Sequence, residues 1–410
     1  MSQVKSQYEA YPYPARDPAD EARRLITGSP SHPLEIDHFL FSGARDWSRP
    51  LRVLVAGGGT GDGLIQLAQM MAQLQKPHEI TYVDLSAAAR RIAEARAEAR
   101  GLTGIRFVTG SLMDAPDLGP FDYIDCCGVL HHLPDPAAGF AALHAALASE
   151  AREAGGGLGF MVYAPHGRAG VYPLQAAFGA LFEGLPPEAR LAAARDLVAS
   201  LPGGHAFKRN LNLGDHKDSD AGFYDLLLHS QDRAFDVAEL LEVLEQSGWT
   251  LGGFTMPALY DLARIIDAAG QSVPDHLSPP QQMAVAERLR GTIKTHVAYA
   301  VPKGSAHGAP NGQNRGAIPH LKGAQAAPLA QAIARGAAPK LSFAGIDAAL
   351  SLPREAAPLI AAIDGRRSIA QIARIAQQSG LDPIRAGALW AKLHKELGDW
   401  GMLLYSRALV

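Results

Sequence analysis

Apolar positions gather in short blocks from residue 52 onward, and the blocks alternate in period. Residues 52–56 (RVLVA) end in an unbroken apolar run, the signature of a strand covered on both faces. Residues 63–74 then switch to helical spacing, with Leu64, Leu67, Ala68 and Met71 on one face. A strand is predicted over 80–84, and an alanine-rich helix over 87–100 that stops at Gly101, where a left-handed cap is common. Further strands are predicted over 105–109, 123–127 and 158–163, with a helix over 137–147 and a glycine turn at 155–157. This rhythm predicts a parallel sheet with helices on both faces, and such sheets bind ligands at the carboxyl ends of their strands.

The alternation breaks over 172–248, which reads as mostly helical. A strand over 250–256, a helix over 280–289 and the alternating THVAYAVPK at 295–303 follow. The two late strands predict an antiparallel pair at the sheet edge. Four segments are expected: an N-terminal cap rich in Tyr, Pro and charge (1–50), a main α/β domain (51–303) with a helical substrate-side insert (171–248), a Gly/Ala/Pro/Asn-rich linker (304–339), and a small α+β domain (340–410). A chain of 410 residues that is 47% hydrophobic has ample core for this.

Charge narrows the partners. The formal net charge is −3, which argues against a whole-chain field for nucleic acid or a membrane surface. No stretch of 18 or more apolar residues is present, and the first residues lack the apolar core of a signal peptide. The two cysteines, Cys126 and Cys127, are adjacent, so neither a disulfide framework nor a CxxC metal motif is expected. They read as small core residues, and a cytoplasmic location is the expectation.

The chemistry concentrates at the predicted strand ends. Five glycines fall within residues 57–63, directly after the first strand. Gly57, Gly59 and Gly61 form GxGxG, a loop that lets the backbone turn sharply or pass close to a ligand. The dinucleotide fingerprint GxGxxG fails, because its third glycine position holds Asp62. Asp84 ends the second strand, where a carboxylate can accept both hydroxyls of a ribose; capping the next helix is the bland alternative, with Ser86 competing for it. Ser111, Leu112 and Asp114 follow the third strand, and FDYIDCCGVLHHLPDP (121–136) spans the fourth strand and the turn beyond it.

Together VLVAGGGTG, YVDLS, FVTGSLMDAP, FDYIDCCGVLHHLPDP and GGGLGFMVY resemble a class I S-adenosylmethionine-dependent methyltransferase, in that family's order, over about residues 51–163. The resemblance implies a seven-stranded, mostly parallel Rossmann-like sheet and S-adenosylmethionine as cofactor. It implies that Gly57, Gly59 and Gly61 contact the methionine and ribose, that Asp84 holds the ribose and Leu85 lines the adenine. It further implies that Ser111 and Leu112 sit at the adenine edge and that Cys127 and Gly128 pass near the methyl group. One position departs from the family: Val55 stands where an acid often helps to bind the cofactor's amino group, so a compensating group is expected, for instance in YEAYPYP (8–14). The 340–410 segment, with IDGRRSIAQIA, resembles a small winged-helix or PqqD-like module. Such modules bind peptides, nucleic acid or sister domains, and its mild charge does not favour DNA.

Methyl transfer from a sulfonium is an in-line displacement that needs alignment, exclusion of water and, for a protonated acceptor, a base. No metal is expected. His131, His132 and His166 are the candidate bases, since histidine titrates near neutrality; capping or packing is the alternative for each. Tyr11, Tyr163, Arg168, Tyr172 and His229 are the candidate acceptor-side residues. Asp225, His229 and Arg233 are expected on roughly one helical face, which could equally pair charges at the surface, and Tyr8, Tyr11 and Tyr13 could cap the site or merely anchor the segment. The expected activity is transfer of a methyl group to an oxygen or nitrogen of a small molecule, with a peptide or protein acceptor left open and a homodimer an admissible assembly. The rival from another class is a non-catalytic S-adenosylmethionine sensor or assembly partner. A nicotinamide dehydrogenase ranks third.

Overall fold

The computed structural model describes residues 3–343 and 345–410. Met1 and Ser2 of the expected cap, and Ala344 of the expected small domain, lie outside the described residues. Seven strands, β1 (Leu51–Ala56), β2 (His78–Asp84), β3 (Ile105–Thr109), β4 (Tyr123–Cys127), β5 (Gly157–Tyr163), β6 (Trp249–Phe254) and β7 (Thr295–Pro302), form one sheet in the order β3-β2-β1-β4-β5-β7-β6. The first five are parallel. β7 runs antiparallel to both β5 and β6, as the late alternating strands predicted.

Burial on both faces explains the continuous apolar runs. Leu54, Ala56, Val83, Ile124, Cys126 and Phe160 belong to one core, and Val53, Val55, Tyr82, Tyr123 and Tyr299 to the other. The period of two along β1 therefore sends alternate residues into opposite layers. Helices α1 (Gln3–Ala10), α2 (Pro33–Leu40), α3 (Asp62–Gln73) and α4 (Ala87–Ala99) precede or follow the first strands. α3 buries Leu64, Leu67, Ala68 and Met71, the predicted face. α4 starts at the Ser86 N-cap, whose hydroxyl accepts from Ala89 N–H at 3.1 Å.

The helical insert, including Val171–Leu181, Pro187–Ser200 and Asp220–Leu227, packs around its own cluster of Phe178, Phe207, Phe223, Tyr224 and Leu227. The expected helical face of Asp225, His229 and Arg233 does not form, because the helix ends at Leu227. His229 lies just beyond it, and Arg233 is an exposed residue paired with Glu239.

The segment expected to be a linker holds structure. Strand β8 (Pro319–Leu321) pairs antiparallel with β11 (Leu403–Tyr405), and helix Ala326–Ala334 buries Leu329, Ala330 and Ile333 at helical spacing. Flanking glycines and prolines hid that short apolar face. β9 (Lys340–Phe343) and β10 (Ile346–Ala349) make a separate hairpin. The C-terminal module is fastened to α2. Asp37 is fully buried and accepts from Trp47 Nε1, Ser406 Oγ, Arg407 N–H and Arg45 N–H at 2.7–2.9 Å. His38 accepts from Tyr405 N–H at 3.0 Å. A buried anion with four donors is well satisfied and costly to disturb.

Candidate functional site

The glycine loop leaves β1 as expected. Gly57, Gly59 and Gly61 all have positive φ, so each occupies backbone space that side chains disfavour. A Cβ on Gly57 would lie 2.6 Å from a Val129 methyl, and one on Gly59 would lie 3.0 Å from Tyr13 O. The loop is held from β2. Asp84 accepts from Gly59 N–H and Ser86 N–H, both at 2.8 Å, and the Tyr82 hydroxyl donates to Gly59 O at 2.6 Å. Burial raises the Asp84 pKa, and the Ser86 and Gly59 N–H groups oppose that rise. Each carboxylate oxygen retains a lone pair, which suits two ribose hydroxyls.

The N-terminal segment straps this bay. Thr60 Oγ1 donates to Pro14 O at 2.7 Å, Arg16 grips Asp62 at 2.6 and 2.9 Å, and Ser86 Oγ donates to Tyr8 O at 3.2 Å. Glu9 accepts from Ala87 N–H, the first residue of α4, at 2.6 Å.

The other predicted cofactor residues divide. Leu85 is exposed beside the bay, while Leu112 is buried in the core. The Ser111 hydroxyl caps the following turn by accepting from Met113 N–H, and Asp114 returns the bond to Ser111 N–H. Cys127 and Gly128 end β4, half-buried, next to Val129.

Beyond β4 and β5 lies a buried polar cluster drawn from four stretches of chain. His132 Nδ1 lies 2.9 Å from Gln231 O; a carbonyl only accepts, so Nδ1 carries the proton and Nε2 keeps its lone pair. His229 Nδ1 accepts from Gln231 N–H at 3.0 Å, so in the neutral ring Nε2–H faces the Tyr8 hydroxyl at 3.1 Å. Tyr8 donates to Asp225 Oδ1 at 3.0 Å, and Tyr163 donates to Asp225 Oδ2 at 3.1 Å. The His132 and His229 rings stack at 3.8 Å. Donor atoms of His132, Asp225 and His229 lie within 4.8 Å of one another, close enough to hold a metal, but hydrogen bonds already engage both nitrogens of His229. Burial raises the pKa of Asp225 and holds His229 well below its usual value.

His131 is fully buried against Tyr163, with ring centroids 3.8 Å apart and neither nitrogen partnered. Burial holds its pKa well below the usual value, and the Arg168 charge acts in the same direction. His166 sits half-buried one turn away with Nε2 unpartnered and joins none of these ring contacts. Arg168 is committed within the protein: it donates to Asp232 and to Tyr172 at 3.0 Å and lies 3.6 Å over the Tyr163 ring. It is therefore not a free grip for an acidic substrate. Tyr11 stacks on Tyr224 of the insert at 4.9 Å and acts as an anchor. Sequence reasoning passed over Gln231 and Asp232, which orient His132, His229 and Arg168 from a segment without periodic pattern.

Residues 54–152 match the family model for a methyltransferase domain. Across nearly the whole chain the fold is similar to PKMT2 from Rickettsia typhi in complex with AdoHcy, at a TM-score of 0.61 and 14% identity, covering 94% of this chain and 77% of that one. The same protein in a second structure gives a TM-score of 0.60 at 13% identity. An uncharacterized protein of Synechococcus sp. is 33% identical over 258 residues; the match covers 62% of this chain and 59% of that relative's length. Residues 54–152 are thus matched as a methyltransferase domain, and the sheet that carries the glycine loop and Asp84 has the fold seen in PKMT2.

Proposed function

We propose that the protein transfers the methyl group of S-adenosylmethionine to an oxygen or nitrogen of an acceptor held between the β4 turn, β5 and the helical insert. The observation that carries this is the convergence of His132, Asp225, His229, Tyr8 and Tyr163 on one buried spot beyond the ends of β4 and β5. The cofactor, held by the glycine loop and Asp84, supplies an electrophilic methyl group. The chain's own task is alignment, dryness and proton removal. His132 presents a free Nε2 lone pair, fixed by its Nδ1–H bond to Gln231 O, and takes the acceptor's proton there. Asp225 beside it stabilises the imidazolium that forms, as a carboxylate next to a catalytic histidine does. Tyr8 and Tyr163 hold Asp225 in place, and His131 packs Tyr163. Among the three predicted histidines, His132 is thus the base, His131 a packing residue and His166 a bystander.

The acceptor is a small molecule in the first reading, because the insert walls the site. A peptide acceptor is the second. It is supported by the closeness of the C-terminal module to the insert: a Cβ on Gly345, between β9 and β10, would lie 2.9 Å from Asn212 Oδ1. The test incubates the protein with labelled S-adenosylmethionine and fractionated metabolite and peptide pools. His132→Ala should lose roughly 100-fold or more in turnover, the scale of general-base catalysis, while S-adenosylhomocysteine still binds. Labelling that survives His132→Ala unchanged would refute this assignment of the base.

A further inference from the structure

Asp125 stands in the middle of β4, in register with Val55 of β1. Partners in a parallel pair face the same side, so Asp125 puts a carboxylate beside the position that Val55 leaves uncharged. It is 2% exposed. Its Oδ2 lies at the start of α3, 2.2 Å from where a Cβ on Gly63 would sit, and accepts from Ser29 Oγ at 3.4 Å. The α3 N-terminus favours an anion there. Oδ1 is buried with no hydrogen-bond partner. Burial pushes the carboxyl up to about 6, the Ser31 and Ser29 hydroxyls oppose that rise, and no cationic side chain enters the balance. Asp125 forms no ion pair among the described residues. Cys127, two residues along β4, faces the same side at the end of the strand, also within reach of Ser29.

A buried carboxylate with one unsatisfied oxygen and no cation is costly unless a bound group completes it. The cofactor named above carries such a group, an α-ammonium on its methionine end, and the ends of β1 and β4 border the glycine loop. We infer that Asp125, steadied by Ser29, is the anion that receives the cofactor's ammonium, in place of an acid at position 55 or in the N-terminal strap. The inference rests on the S-adenosylmethionine reading of the bay.

The experiment is calorimetric titration near pH 6 in two buffers of different ionisation enthalpy. The ligands are S-adenosylhomocysteine and methylthioadenosine, which lacks the amino-acid end. The wild type should release roughly half a proton per S-adenosylhomocysteine, because the incoming ammonium drives Asp125 to its charged form; methylthioadenosine should release none. Asp125→Asn should weaken S-adenosylhomocysteine by roughly 10- to 100-fold, the span of one charge-assisted hydrogen bond, and abolish the proton release, with methylthioadenosine within about threefold of wild type. Equal losses for both ligands, or no loss for either, would overturn the inference. So would a wild type that binds S-adenosylhomocysteine without releasing a proton, a result that stands even if the variant does not fold. A wild type that binds neither nucleoside would instead overturn the cofactor reading itself.

Discussion

Gly57→Ala tests whether the glycine loop and the β4 turn are built against each other. Gly57 has φ +69°, and an added Cβ would lie 2.6 and 2.7 Å from the two Val129 methyls. Holding an L-residue in the left-handed region costs about 1–2 kcal/mol. Forcing a methyl into a packed contact costs about 1–3 kcal/mol more. Gly57→Ala should therefore destabilise the fold by about 2–5 kcal/mol. Val129→Ala removes both methyls and leaves the backbone term in place. In the double variant the two methyl contacts are gone and only the Cβ of residue 129, at 3.2 Å, remains close, so the two changes should couple by about 1–3 kcal/mol rather than add. Urea unfolding of the four proteins reads this directly, since the midpoint shifts at constant slope when stability alone changes. Cofactor affinity should follow the same pattern, because Gly57 belongs to the loop proposed to hold the cofactor. Gly57→Ala within about 0.5 kcal/mol of wild type, or strict additivity of the two changes, would refute the argument.

Two further outcomes are expected. Asp84→Ala removes the acceptor for the Gly59 and Ser86 N–H groups and for the ribose; at one to two charge-assisted bonds, S-adenosylhomocysteine affinity should fall by roughly 100-fold, and an unchanged calorimetric titration would count against the ribose assignment. His38 is buried, accepts from Tyr405 N–H, and has its pKa lowered to about 3 by burial. Its folded value lies below the unfolded one, so the unfolded chain binds the extra proton and this share of stability is lost as pH falls from about 6.5 toward 3, at up to about 1.4 kcal/mol per pH unit. Thermal melts from pH 7 to 4 should show the loss, and His38→Asn should flatten it; an equally steep profile in the variant would show that His38 does not contribute.

What the sequence makes legible follows from where the information sits. The parallel sheet, its late antiparallel pair and the face of α3 come from local period, and Gly57, Gly59, Gly61 and Asp84 occupy a loop and strand end set by neighbours in the chain. The acceptor side is different. Tyr8 meets Asp225 across 217 residues and Asp37 meets Ser406 across 369, and no local pattern encodes such pairings. His132 could be nominated as a titratable residue near a strand end. Its freed Nε2 could not be foreseen, because Gln231 fixes it from 99 residues away. Asp125 looked like part of a buried strand, and only the register against Val55 reveals the charge beside the gap. The 304–339 segment misled because the weak apolar face of helix Ala326–Ala334 is outnumbered by breakers.

The N-terminal strap touches the glycine loop through Pro14, the first turn of α4 through Glu9, and the acceptor cluster through the Tyr8 hydroxyl. One ribbon of chain thus borders both ligands. On the function proposed above, displacing this ribbon would also withdraw Tyr8 from Asp225 and His229, so the proposed acceptor pocket depends on the same segment that borders the glycine loop. An acceptor that steadies Tyr8 would slow departure of the nucleoside without touching it.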